Sequence, residues 1–470
     1  MSEQQTLDEL EGAEEDLLSL GPNVLHLPRE WEQTEFGSVF SSQRGVNYSS
    51  DNYVSEGEGM IFFTLNAISP GGGLKKGSLK YYDDNISEER MVEEGDILMA
   101  NTDLNQDGEI IGYPVRVPSF ESGEKMCFSH HLLKIHPKKE VYNSHFLESL
   151  LSAKYIHDRM IAFSCGSTVL NLNTDLLDSL ELPVPPLSEQ RKIATVLYTV
   201  DQAIKKTSEL IEQLGRVKQG VRQNILTSGI TEDGKVRASP ESEPEKYIDA
   251  RQWTVPNSWE LKELSDICSI QVGYTFKSDW YQEEGNVRVL RGANVGYGKP
   301  DWSETYYLEP ERVSEYEEYL LDEGDLVIGM DRPYTNSGFK ISRLSETDVP
   351  SLLVQRVGRF VPEGCDPDYL HVVLSDWRYQ KQVLRRAQGM DIPHISQTDI
   401  LSPKIPLPPL EEQKRIADRY SSILERIDCE KSLLREYKTL KQGLMQDILS
   451  GSVRTTDTNI EVPEEIAQYG

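Results

Sequence analysis

The chain has 470 residues, 37% of them hydrophobic, enough to bury cores for roughly three domains of about 150 residues each. No apolar run approaches the roughly 20 residues of a membrane span, the N-terminus lacks the basic-then-apolar pattern of a signal peptide, and the five cysteines show neither CxxC spacing nor close His partners. A cytoplasmic protein without a zinc site or disulfide framework is expected. The net charge of −29 excludes a uniformly basic nucleic-acid binder, but the acid is spread along the chain as on proteins from high-salt cytoplasm, so local clusters decide the partner.

Residues 1–26 carry seven acidic side chains and no Lys or Arg and read as an acidic tail. A globular unit over 27–184 opens with Leu27-Pro28-Arg29-Glu30-Trp31. Strand-like runs at Met60–Leu65, Asp96–Ala100, Ile110–Val117 and His131–Ile135 are separated by turn signals such as Gly71-Gly72-Gly73 and Asp107-Gly108. Pro114 demotes part of its run to an edge or a bend. A helix is expected over Ser144–Ala162 and a long helix over 185–230. Residues 231–254 are polar and Pro-bearing and read as a linker.

A second unit over 255–407 opens with Val255-Pro256-Asn257-Ser258-Trp259 and repeats the plan. Its Glu323-Gly324-Asp325-Leu326 echoes Glu94-Gly95-Asp96-Ile97, with strand candidates at Lys340–Leu344 and Leu352–Phe360. Asp366 suits a helix N-cap, Pro367 the first helical position and Gly389 the C-cap; the apolar face runs Leu370, Val373, Leu374, Trp377, Leu384. A second long helix occupies 408–453, and 454–470 reads as another acidic tail.

The two long helices are one sequence used twice. PPLSEQRKIA at Pro185 returns as PPLEEQKRIA at Pro408, an offset of 410 − 187 = 223 that holds without a gap through the shared KQG-x-x-Q-x-IL end. Their apolar positions step 4, 3, 4, 3. The first seam includes Ile193, Leu197, Ile204, Ile211 and Lys218; the second includes Ile416, Ile423, Ile427, Leu434 and Lys441. A sustained 3.5-residue period predicts a coiled coil, with register-fixing polar breaks at Thr207/Glu430 and Lys218/Lys441. Gly220 and Gly443 cost helix stability at matching positions and predict close backbone approach, helix on helix or helix on partner. The first helix carries seven Lys/Arg against four Asp/Glu between Ser188 and Leu226, unlike the acidic remainder. The fold class expected is α+β: two α/β domains, each followed by a long helix, the helices pairing antiparallel with pseudo-twofold symmetry. A coiled part of about 39 residues would span roughly 58 Å, on the order of 17 bp of duplex.

No catalytic motif survives inspection. Asp331-Arg332-Pro333-Tyr334 resembles the D/N-P-P-Y/F motif of amino-methyltransferases, but arginine replaces the first proline and no cofactor-binding Gly-rich loop follows a strand. Gly292–Lys299 has the wrong spacing for a phosphate loop and lacks its Ser/Thr. His130-His131 reads as a structural doublet in a strand.

The doubled PPL-x-EQ helix start, the KQG-x-x-Q-x-IL end, the paired GD strands and the GMDIPHISQTDIL lead-in together resemble the specificity subunit of type I restriction-modification enzymes, over nearly everything from Leu27 to Val453. The first copy of the lead-in, GSTVLNLNTDLLD, has drifted. That resemblance implies two target recognition domains, each reading one half of a split, asymmetric site on double-stranded DNA. It implies helices that space the halves and dock two methyltransferase subunits, with motor-nuclease subunits joining the complex. It also implies no catalytic site in this chain, no directly bound metal or cofactor, and S-adenosylmethionine, ATP and Mg2+ on the partners. Two alternatives stay open: a specificity subunit of a type II-like complex, and a coiled-coil scaffold without a DNA role.

Base readout favours Arg or Lys on guanine and Asn or Gln on adenine, with Lys and Arg on phosphate. The loops after the GD strands offer Asn101, Thr102 and Asn105 in the first unit and Arg332, Tyr334 and Asn336 in the second. Arg291 and Asn294 follow a strand, and Lys75 and Lys76 are phosphate candidates. For partner docking, the seam residues named above and Gly220 and Gly443 are the candidates.

Overall fold

The computed structural model describes residues 16–468 except 21–22, 76, 121–122, 140, 332, 336–337 and 387–394. The chain divides into two compact units, residues 1–208 with 432–470, and residues 209–431. That boundary cuts both long helices, Leu187–Ser228 and Leu410–Leu449. Each unit is therefore completed by the first part of one helix and the last part of the other. The compact units therefore run across the domain and helix bounds read from the sequence, since each takes part of both helices.

The same sheet topology is built twice. In the first unit a four-stranded antiparallel sheet has the order Pro114–Arg116, Ile97–Ala100, Leu132–Pro137, Phe40–Arg44. In the second the order is Ile341–Arg343, Leu326–Gly329, Val357–Pro362, Cys268–Val272. Each unit adds a five-stranded sheet around one parallel pair, Met60–Phe63 with Met126–Phe128 and Arg288–Leu290 with Ser351–Leu353. The GD strands Ile97–Ala100 and Leu326–Gly329 are buried at every position, which is why they read as unbroken apolar runs. Pro114 begins an edge strand, where its missing N–H costs no ladder bond; of the expected Ile110–Val117 strand only Pro114–Arg116 forms, and Ile111-Gly112 is turn. Gly45 and Gly273 are required by close approach: a Cβ at either would run into the backbone carbonyl of Phe128 or Val354.

Two expected helices are each two. Ser144–Leu151 and Lys154–Ala162 are separated at Ser152, whose hydroxyl turns back to the Glu148 carbonyl at 2.8 Å, and at Ala153, which is extended. Pro367–Leu374 and Trp377–Arg386 break in the corresponding place, with Asp366 as N-cap and Pro367 in the first turn as expected. Trp377, expected on the apolar face, opens its helix 55% exposed. Gly389 lies outside the described residues, as does the whole GMDIPH start of the lead-in. The expected strand Leu352–Phe360 is also two strands, with a turn at Gln355-Arg356.

The tails and linker are more ordered than their composition suggests. Asp16–Leu20 and Asn23–Leu27 pair antiparallel at the start of the first unit, and Tyr247–Ala250 and Trp253–Pro256 form their counterpart across the end of the expected linker. Trp253 is buried and donates to the Lys404 carbonyl at 2.8 Å. At the C-terminal end Ile466 is buried in the first unit's core, its carbonyl accepts from Asn143 at 2.7 Å, and Lys192 donates to the Thr456 and Thr458 carbonyls. The acidic tail expected there docks on its unit because two apolar side chains, Val462 and Ile466, interrupt the charge.

Within each unit the two helix portions run antiparallel. In the first, Ile193, Ala194 and Leu197 share a core with Ile448 and Leu449, and Lys441 pairs with Asp201 at 2.6 Å. In the second, Ile225 and Leu226 share a core with Ile416, Ala417 and Tyr420. The seam residues Ile193, Leu197, Ile416 and Ile427 are buried, while Ile204, Ile211, Lys218, Ile423, Leu434 and Lys441 are half-buried. Gly220 and Gly443 are exposed, with open space where a Cβ would stand, so the expected helix-on-helix approach is overturned at both.

Burial also sets a pH dependence. Desolvation, helped by Arg343, Arg222 and Lys218, pushes the His371 imidazole down to about 4. The unfolded ring takes up a proton near pH 6.5 and the folded ring only near 4, so protonation favours the unfolded chain. This contribution is fully present above pH 6.5 and is lost as pH falls towards 4, by roughly 3 kcal/mol at the end of that window. Urea unfolding of the second unit measured across that window should show the loss, and His371→Leu should flatten it. An unchanged slope in the variant would rule His371 out as the cause.

Candidate nucleic-acid interface

The GD motif builds a half-buried ion pair in each unit. Asp96 takes Lys134 at 2.6 Å and the Glu93 amide at 2.7 Å; Asp325 takes Arg359 at 3.1 Å and the Asp322 amide at 2.9 Å. The two pairs occupy equivalent places and keep the same chemistry. They hold the turn before the strand to its neighbour and face the fold.

At the far end of the same strands a second pair recurs with altered chemistry. Ala100 pairs with Leu132 in register, and Gly329 with Val357. Two residues beyond the first of these strands stands Thr102, and one residue before its partner stands His131; their side chains meet at 2.9 Å, Oγ1 to Nδ1. In the second unit the same positions are Asp331 and Arg356, and Arg356 Nη1 donates to the Asp331 carboxylate at 2.6 Å. Burial, with His130 alongside, holds the His131 ring below the usual imidazole range. Tyr48 packs against both histidines, at 5.7 and 6.4 Å between centroids. Arg356 is exposed and adopts φ 64, an uncommon conformation for a residue with a side chain. Beside it opens a depression of about 540 Å³ whose lining includes Arg291, Lys340, Gln355 and Phe276.

The loop candidates are divided by this geometry. Asn101 is 1% exposed and its side chain finds no partner among the described residues; Thr102 is buried on His131. Asn294 is also buried and donates to the Asp301 and Glu304 carbonyls at 3.0 and 2.8 Å. These three side chains are buried in their domains, where exposed loop positions were expected. Their apolar neighbours at the strand ends draw them inward. Arg291 stays half-exposed, propped by Asn294 and lying over the Tyr306 ring at 4.5 Å. Asn105, Lys75 and Tyr334 are exposed. Lys76, Arg332 and Asn336 lie outside the described residues.

The repeated Glu-Gln of the helix starts is a clasp. Gln190 accepts from the Asn143 amide at 2.9 Å and donates to the Pro185 carbonyl at 2.8 Å; Gln413 does the same with Asp366 and Pro408, both at 2.8 Å. Glu189 receives the Trp31 indole at 3.0 Å and two nitrogens of Arg454 at 2.8 and 2.9 Å. Glu412 receives the Trp259 indole at 3.2 Å and the guanidinium of Arg237. One motif thus ties a long helix to the unit's opening Trp, to its inner helix and to the segment leaving the other long helix.

The opposite faces of the helix ends are exposed in both copies. Val217 and Leu440, matching positions in the repeat, are each 50% exposed, next to open Gly220 and Gly443 and exposed Gln223 and Gln446. Among the described residues no helix is long and apolar enough to cross a membrane.

Duplicated recognition-type domains joined to clasped helices define a class, and comparison names it. The chain belongs to the type I restriction modification DNA specificity domain family, whose model matches residues 28–216 and 256–438. It is 28% identical over 437 residues to the type I restriction enzyme MjaVIII specificity subunit of Methanocaldococcus jannaschii, covering 93% of this chain and 96% of that one. Identity to the EcoKI specificity subunit of Escherichia coli is 22%, covering 94% and 93%. The crystal structure of a type I restriction-modification S subunit from M. genitalium shares the fold, at TM-score 0.57 and 16% identity, over 92% of this chain and 98% of that one.

Proposed function

We propose that this chain is the DNA-recognition subunit of a type I restriction-modification complex, reading a bipartite, asymmetric site through its two units. The observation that carries this reading is the doubled topology with unlike rims: the same strands end in Thr102 and His131 in one unit and in Asp331 and Arg356 in the other. Two such surfaces suit two different half-sites. The chain would work without catalytic residues of its own. Adenine methylation with S-adenosylmethionine, and ATP- and Mg2+-dependent cleavage, would belong to methyltransferase and motor-nuclease subunits.

The matching exposed faces around Val217/Gly220 and Leu440/Gly443 supply two equivalent docking sites, one per methyltransferase copy. A small residue beside an exposed apolar one lets a partner backbone approach closely. Family membership over both halves disfavours the scaffold without a DNA role. The direct test is co-expression with a DNA adenine methyltransferase of the same system, followed by methylation mapping. A split motif is expected, and a complex with no preference for any bipartite site overturns the reading.

The helices are further proposed to set the gap between half-sites. One heptad inserted near Thr207 and its match near Glu430 should lengthen the tolerated gap by about 3 bp, from roughly 10 Å of added helix. An unchanged gap would refute the spacer role.

A further inference from the structure

In a duplicated fold, positions that keep both geometry and chemistry hold the structure, whereas positions that keep geometry and change chemistry carry what differs between the copies. The contrast is sharp along a single strand pair. Lys134 with Asp96 and Arg359 with Asp325 are one kind of interaction used twice, with all four side chains no more than about a quarter exposed. At the other end of those strands, hydroxyl and imidazole in one unit become carboxylate and guanidinium in the other. We infer that His131 and Arg356 are the base-reading residues of their respective half-sites, oriented by Thr102 and Asp331, and that Arg356 selects guanine. The inference rests on the DNA-recognition reading above and specifies the residues that execute it.

Arg356 is built for this task. Asp331 holds Nη1, while Nε and Nη2 have no partner among the described residues and present two parallel donors. That is the fork which meets O6 and N7 of guanine in the major groove. A carboxylate bonded to Nη1 limits the side chain's rotamers and lowers the entropy lost on binding. The left-handed backbone at Arg356 sets the side chain at the turn between Ser351–Leu353 and Val357–Pro362. Such a conformation in a non-glycine residue is kept where the surroundings impose it, often at functional sites. Arg291 and Lys340 line the adjoining depression and add positive charge suited to phosphate. In the first unit the equivalent residue presents one ring nitrogen, since Thr102 occupies the other. The two half-sites are therefore read with different hydrogen-bonding capacity, two donors against one group.

The test uses the full chain in complex with its methyltransferase, and methylation mapping as readout. Arg356→Gly removes the fork and suits φ 64; Arg356→Asn also tolerates that backbone and carries the adenine-reading amide. Arg356→Gly should relax discrimination at one guanine of one half-site on the order of 10- to 100-fold. Every other position of both half-sites should be retained, and Arg356→Asn should shift the same position towards adenine. His131→Ala should relax one position in the other half-site only. A merely structural role would degrade a whole half-site, so loss of the entire half-site, or an unaltered motif, overturns the inference while the recognition reading stands. A wild-type complex with no bipartite motif overturns that reading itself, and the inference with it.

Discussion

Replacing Glu412 by alanine should destabilise the second unit by about 2–6 kcal/mol, the cost of stranding two buried hydrogen-bond donors. Glu412 is 3% exposed and accepts from the Arg237 guanidinium, the Trp259 indole and the Ile230 amide. Its loss leaves the buried Trp259 indole and Ile230 amide without this acceptor, each at a desolvation cost of about 1–3 kcal/mol, while the Arg237 guanidinium, 27% exposed, reaches water. Glu412→Gln keeps an acceptor for the indole or the amide and should cost less. Hydrogen exchange of second-unit amides resolves the effect better than whole-chain melting, because two units need not unfold in one step. Equal protection in Glu412→Ala and wild type would show that the clasp is dispensable.

The corresponding carboxylate of the first unit adds a pH signature. Burial opposes ionisation of Glu189, yet its bonds from Arg454 and Trp31 prevail and hold its carboxyl below the usual glutamate range. Its stabilisation is therefore present above the unfolded value near 4.5 and lost as pH falls through the folded one.

The second large effect concerns docking. Val217→Asp or Leu440→Asp should each abolish binding of one methyltransferase copy, and the double variant should bind none. Native mass spectrometry of the assembled complex would count them, with the chain's own stability changed by no more than about 0.5 kcal/mol, as for ordinary surface positions. Both side chains are 50% exposed on their helices, so placing a charge there disturbs little of the isolated chain. A desolvated aspartate in a partner interface, by contrast, costs several kcal/mol. Full occupancy in the double variant would move the docking site elsewhere.

The paired helices, the GD strands and the duplication were legible because each rests on a local period or an exact spacing. Asp366 and Pro367 behave as a cap and a first turn because capping is decided within a few residues. The breaks at Ser152 and between Leu374 and Trp377 were not legible, since helices on either side bury the same face and the apolar period runs across the gap. For the same reason Leu352–Phe360 reads as one strand, and the turn that displays Arg356 was hidden inside it. His131 was visible as a doublet, but a sequence cannot tell a histidine turned into a core from one held at a rim by Thr102.

By itself the sequence determined that one unit is used twice, that each copy ends in a long heptad helix, and that the whole resembles a specificity subunit. These follow from repeats and periods, which are properties of the chain in one dimension. Only the tertiary structure decided that each compact unit takes parts of both helices, that Glu189 and Glu412 are clasps, that Gly220 and Gly443 face open space, and that Asn101 and Asn294 point inward. The physical reason is common to all four. Burial and hydrogen-bond partnership are settled by which segments the fold brings together, from Asn294 with Glu304 to Arg454 with Glu189, and no helical or strand period carries that information.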